Sequence, residues 1–349
     1  MKRSCALTIA LLVGCSASKT TPAPAPAPAA KAGVTSAAAS SSSAPERPRL
    51  PLVRVADVPL PGGQTRFDYQ DLDVARGHLV VMHMNDASVL VLSLRDGSVV
   101  KELKGIVRPR GTAVGDDRIF VTSTGSVVII DAIKLTEVAR VKAGQTPDGI
   151  AIDTVDHVVG VSEQHDGAVA FIADSGSGAR TVLPLGTEVG NVVFDPARRS
   201  FFAAVVNAAP PDQLVELDPV AHRVKSRIDL PGCERAHGVR VHPDGKSAFI
   251  ACENNDTVVR VALDAPHTLT TATTGKQPDV MSIDPGLGWL YVAAESGDLA
   301  VFDIAGPGLR LLSREHPADD AHSVVVDPAT HRVFFPVLRG PVMRIMRPE

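Results

Sequence analysis

Between Phe67 and Asp327 the chain repeats one short hydrophobic and polar pattern: a polar or small pair, an apolar alternation, then a turn. The copies read FDYQDLD from Phe67, PRGTAVG from Pro109, PDGIAID from Pro147, VGNVVFD from Val189, AHGVRVH from Ala236, PDVMSID from Pro278 and AHSVVVD from Ala321. The second residue of each copy, here termed the lead position, is Asp68, Arg110, Asp148, Gly190, His237, Asp279 or His322, at steps of 42, 38, 42, 47, 42 and 43 residues. A period near forty residues built from short strands predicts an all-β, seven-bladed β-propeller with one blade per step.

Each unit carries the grammar of a four-stranded blade. The first run (Ile150 to Asp153) ends in a turn such as His242-Pro243-Asp244-Gly245 or Asp284-Pro285-Gly286, whose Pro and Gly suit tight-turn dihedrals. A second, apolar run follows (Ile119 to Thr122, Ala248 to Cys252), then an alternating third (Ser126 to Ile130, Thr257 to Val261). The fourth is more polar (Val138 to Val141, Val224 to Ile228), as an outer strand facing water should be. From Val324 the seventh unit has only three strands. The run from Leu52 to Gly62 reads like the fourth-strand segment from Val224 to Gly232, which predicts that an N-terminal strand closes the ring. A β-sandwich also uses many short strands, but it needs no regular period. Aromatic residues make up 4% of the chain with a single Trp, and no WD dipeptide recurs, so repeat classes that dock a Trp in every blade are excluded.

The runs RIFVTSTGSVVIIDAIKLTEVARVKAGQTPDGIAID from Arg118 and WLYVAAESGDLAVFDI from Trp289 resemble the YVTN-type seven-bladed propellers of bacterial surface-layer and periplasmic proteins. The resemblance spans residues 50–349. It implies the architecture and leaves activity open, because this group contains binding proteins, lactone hydrolases and domains of redox enzymes.

The N-terminus sets the expected location. Lys2 and Arg3 precede an apolar segment from Ala6 to Val13 that is too short to span a bilayer, so residues 1–14 are expected to be an export signal. Leu12-Val13-Gly14-Cys15 looks like a bacterial lipobox, which implies cleavage before Cys15 and its acylation; an ordinary secretory signal cut near Ala17 is the alternative. By the same analogy Ser16 favours the outer membrane. Residues 15–49 hold an Ala-Pro run and a serine cluster without apolar periodicity, which predicts a tether ahead of the propeller at 50–349.

Composition fits one exported globular domain: 44% of residues are hydrophobic and the formal charge is −4, or −6 without Lys2 and Arg3. Such a surface has no footprint for nucleic acid, and a monomer is expected. In an oxidising compartment Cys233 and Cys252 read either as a disulfide or as two buried thiols.

Overlaying the blades gathers candidate chemistry. Residues leading the first strand and leaving the second crowd around one mouth of a propeller channel: Asp68, Arg110, Asp148, His237, Asp279 and His322 from the first set, His83, Glu163, Glu253 and Glu295 from the second. His237, Glu253, Asp279, Glu295 and His322 could hold Ca²⁺ if oxygens dominate, or Zn²⁺ if imidazoles converge. Alternatively the same residues are struts bonded to the next blade's backbone. There is no G-x-S-x-G, C-x-x-C-H, H-E-x-x-H or phosphate-cradling glycine loop. The expected function is binding of a protein partner or small ligand at this mouth by a membrane-anchored propeller, without catalysis; the alternative is a metal-assisted lactone or ester hydrolase.

Overall fold

The computed structural model describes residues 48–349. The expected signal, Cys15 and nearly all of the expected tether lie outside the described residues. Within them the alternating runs form seven four-stranded antiparallel sheets. Six are built from consecutive strands, as in blade five: Ala236–Val241, Ser247–Cys252, Thr257–Ala262 and Leu269–Thr273.

The seventh sheet is composite. Its inner three strands are β26 (Val325–Asp327), β27 (Arg332–Val337) and β28 (Val342–Pro348), and its outer strand is β1 (Leu52–Pro59), in the order β1-β28-β27-β26. The predicted N-terminal closure is therefore present, in a register running from Leu52 opposite Pro348 to Pro59 opposite Val342. Arg344 clamps this seam by donating from Nε and Nη2 to the two carboxylate oxygens of Asp57, both at 2.8 Å. Beyond it, Arg49 and Glu349 exchange backbone hydrogen bonds of 3.0 and 2.9 Å.

Burial follows position within each blade. Middle strands such as Arg118–Ser123 are buried almost throughout, whereas the outer Thr136–Lys142 is mostly exposed, which is why the fourth runs are polar. The core lies between blade faces: Val169 and Phe171 of blade three, for example, pack against Val189, Phe201 and Val205 of blade four. The Asp that ends the first run closes the following turn. Asp153 Oδ1 accepts from the Val155 and Asp156 amides (2.9 and 3.2 Å), and Asp284 Oδ1 from those of Gly286 and Leu287 (3.0 and 3.1 Å). A disulfide joins Cys233 to Cys252, with Cα atoms 5.3 Å apart.

One irregularity prepares the site. In blade five Ala236 pairs with Cys252 and Val239 with Ile250, so His237 and Gly238 together oppose the single residue Ala251. Blades three, four and six carry the same extra residue at the same place. Each bulge begins with the lead residue, and a bulge re-aims a side chain away from the plain alternation. It also brings neighbouring inner strands close together: a Cβ on Gly238 would lie 2.0 Å from the Asp279 carbonyl oxygen, and one on Gly111 2.1 Å from that of Asp148.

Candidate functional site

Five of the lead side chains, Asp68, Arg110, Asp148, His237 and Asp279, converge on one end of the central channel around a cavity of about 300 Å³. Gly190 offers no side chain. His322 stands beside this cavity and lines an adjoining depression with Arg66 and Asn85; its Nδ1 lies 3.9 Å from Glu295 Oε2 and donates to the Asp320 carbonyl at 3.1 Å.

His237 is the centre of the cluster and is buried. Its Nε2 lies 3.5 Å from Asp279 Oδ1 and 3.6 Å from Asp148 Oδ2, and its Nδ1 lies 3.7 Å from Glu253 Oε1. These are ion-pair distances rather than hydrogen bonds, and His237 Nδ1 and Asp148 Oδ2 have no hydrogen-bond partner among the described residues. The Tyr69 hydroxyl sits 3.3 Å from both His237 Nε2 and Asp279 Oδ1. Around this centre the charges pair. Arg66 forks onto Glu295 through bonds of 2.9 and 2.6 Å, Arg110 donates to Gln164 at 3.0 Å, and Arg235 bridges Glu253 and Glu188.

Crowding sets the protonation. Burial, reinforced by Asp148, pushes the Asp68 carboxyl well above its ordinary range against Arg66 and Arg110. Burial and Asp279 likewise raise Asp148, although His237 and Arg110 favour its charge, and burial raises Glu253. Burial opposes a charged His237, yet Asp279, Glu253 and Asp148 together outweigh it and raise its pKa. Glu295 goes the other way: burial alone would raise it, but the Arg66 fork and His322 lower it.

Among the described residues two triplets have metal-ligating atoms within 4.8 Å of one another: His237, Glu253 and Asp279, and Asp279, Glu295 and His322. The contacts between neighbouring blades' inner strands, which the lead side chains were alternatively expected to make, are carried by other residues. Thr122 Oγ1 donates to the Asp148 carbonyl (2.7 Å), Asp71 Oδ2 accepts from the Val114 amide (2.9 Å) and Ser282 Oγ accepts from the Val326 amide (3.0 Å).

Glu163 and His83 are corrections to the expected set, because neither lines the mouth cavity. Glu163 pairs with Pro147 and so corresponds to Cys252 and Ala294, not to Glu253 and Glu295, which come one residue later. One step along a strand turns a side chain to the opposite face. Glu163 accordingly accepts from the Gly144 amide at 2.8 Å and from Arg180. His83 stacks on Phe67 (4.0 Å between centroids) and shares a 3.0 Å hydrogen bond with Thr65. The residues that do face the mouth at the next position are Met84, Gln164, Glu253 and Glu295.

Sequence reading missed Arg66, Tyr69, Arg108, Gln164 and Arg235, all of which line the cavity. A signal existed for three of them: Arg66, Arg108 and Arg235 each stand two residues before a lead position. That position is left-handed at Arg108, Arg235, Gln277 and Asp320, with φ of 49°, 58°, 54° and 59°.

No protein-family model matches the chain, and no curated protein sequence is significantly similar to it. Solved structures are. The chain resembles Kuenenia stuttgartiensis hydrazine synthase with a TM-score of 0.71 at 17% identity, over 80% of this chain and 94% of that one. It also resembles the structure of U3-55K with a TM-score of 0.70 at 10% identity, over 87% of this chain and 100% of the other. At these identities the likeness is one of fold, and the fold common to all of these observations is the seven-bladed β-propeller.

Proposed function

We propose that this is a YVTN-type propeller of a bacterial cell envelope, anchored through a lipid on Cys15, outer membrane favoured, that binds a small ligand or a partner side chain at the charged mouth without transforming it. The observation that carries the reading is the unsatisfied centre of that mouth. Asp148, Asp279 and Glu253 are crowded around His237, with Asp68 acting on Asp148 and Asp279 from the same cavity, and two of the buried polar atoms there lack hydrogen bonds. Such a centre favours a ligand presenting a positive group, an ammonium or guanidinium, which would give Asp148 Oδ2 the donor it lacks. Among the described residues no Ser, Thr or Cys lines the cavity to act as a nucleophile.

Agmatine, which carries a guanidinium and an amine, is a suitable probe. It should raise the unfolding midpoint of the wild-type protein and leave that of an Asp148→Asn/Glu253→Gln double variant unchanged; equal shifts in both proteins would refute the mouth as the site. A second reading rests on His237, Glu253 and Asp279, whose geometry would accept Ca²⁺ or Zn²⁺ able to polarise a lactone or ester carbonyl. Elemental analysis separates the two, since the binding reading expects no stoichiometric metal in the purified protein.

The anchor has its own test. Cys15→Ser should abolish fatty-acid labelling and release the protein from the membrane fraction, because acyl chains supply the affinity. Unchanged partitioning would remove the lipoprotein reading.

A further inference from the structure

The other end of the channel has a different chemistry. The residue before the turn that closes each inner strand is apolar in every blade, from Leu72 and Ile152 through Phe194 and Ile283 to Val326, and these side chains ring a cavity of about 490 Å³. Tyr69 lines both this cavity and the charged mouth. One position nearer the mouth, four blades present Ala113, Ala151, Val193 and Val325, while blade five presents Arg240. Arg240 donates to the Val239 carbonyl at 3.0 Å, and among the described residues no carboxylate lies within 4.0 Å of its guanidinium. The acid at the same level, Asp71, is already committed to the amides of Leu72 (2.8 Å) and Val114 (2.9 Å). Burial disfavours the Arg240 charge and outweighs the more distant Tyr69, Asp71 and Asp279, which favour it. A guanidinium set beneath an apolar ring with no carboxylate in contact leaves donors open to an anion.

We propose that this end of the channel binds a small amphipathic carboxylate, its carboxylate on the Arg240 guanidinium and its apolar body against the ring formed by Leu72, Ile152, Phe194, Ile283 and Val326. A guanidinium presents paired donors that match a carboxylate. The cavity falls in the size range of small-molecule sites. Each methylene buried against the ring should tighten binding about fourfold, so affinity grows with the tail until the cavity is full. Tyr69 is the one residue this site shares with the lining of the charged mouth.

Octanoate titrated calorimetrically into the full-length protein tests the proposal. It should bind saturably at one site, with acetate and octan-1-ol each weaker by roughly tenfold or more, and Arg240→Met should weaken octanoate by a similar factor. Glu253→Gln, at the opposite mouth, should leave octanoate affinity unchanged. If Arg240→Met does not fold, Ile283→Glu, which places a negative charge in the ring, should cost the same factor with the circular dichroism of the wild type. The proposal is overturned by wild-type octanoate affinity in the folded variant, by acetate binding as tightly as octanoate, or by no saturable octanoate binding in the millimolar range.

Discussion

Deleting residues 50–61 should lower the unfolding midpoint by about 10 °C or drive the protein to aggregate, whereas deleting residues 16–45 should leave the midpoint within about 1 °C. The first deletion removes β1, the outer strand of blade seven, together with Leu52 and Leu60, both buried. Burial of two leucines is worth roughly 3–6 kcal/mol, and a chain of this size loses about 2 °C per kcal/mol. The same deletion strips β28 of its outer partner and Arg344 of Asp57, leaving an unpaired strand edge. Equal midpoints for the two deletions, measured by differential scanning calorimetry, would reject the seam as a structural closure.

The protein should become less stable as pH rises from 5 to 8. A carboxyl whose pKa is raised on folding holds its proton more tightly in the folded state, so its contribution is present at low pH and is lost as pH climbs through the raised value. Asp68, Asp148 and Glu253 belong to this class. So does Asp71, pushed by burial from 3.8 to about 6, a contribution on the order of 2–3 kcal/mol of which roughly half is lost above pH 5. His237, also raised, acts in the same direction above its ordinary 6.5. Acids held low, such as Asp57, whose partner is Arg344, and Glu216, whose partner is Lys225, oppose this, but they titrate at or below their ordinary values of 3.8 and 4.5. Asp71→Asn and Asp148→Asn should each flatten the profile, and Asp148→Asn, whose Oδ2 has no hydrogen bond to lose, should also raise the midpoint at pH 8. A wild-type midpoint that is level or rises between pH 5 and 8 would contradict the raised carboxyls.

The blades were legible because local chemistry repeats with them. In five blades the Asp after the first apolar alternation marks a turn its own carboxylate closes, and the likeness of Leu52–Gly62 to Val224–Gly232 was enough to place β1 in blade seven. The site was legible only where it shares that repeat. Lead residues could be aligned, and Asp68, Arg110, Asp148, His237 and Asp279 do meet. The ends of the second strands could not, since their register is fixed by pairing across the sheet: Glu163 and Glu253 look equivalent in sequence yet differ by one step in the ladder. Tyr69 escaped notice because it reads as one more residue of an alternating strand, and only the packing of blades one, five and six brings its hydroxyl to His237 and Asp279. The Arg240 end was hidden for a related reason. Its significance lies in the six other blades that place no arginine at that level.

The composite blade also sets a timetable. Leu52 pairs with Pro348, 296 residues later in the chain, so at ribosomal rates roughly 15–60 s separate the synthesis of the two strands. Throughout that interval β1 exists without the strand it was made for, and the ring is an arc with two open ends. The sequence LVRVADVP suits that wait: Arg54 and Asp57 put charge on the strand and Pro59 withholds an amide from it, features that discourage pairing with a stranger. Substituting them with β-branched apolar residues would strengthen β1 as a strand while making it a hazard before its partner arrives.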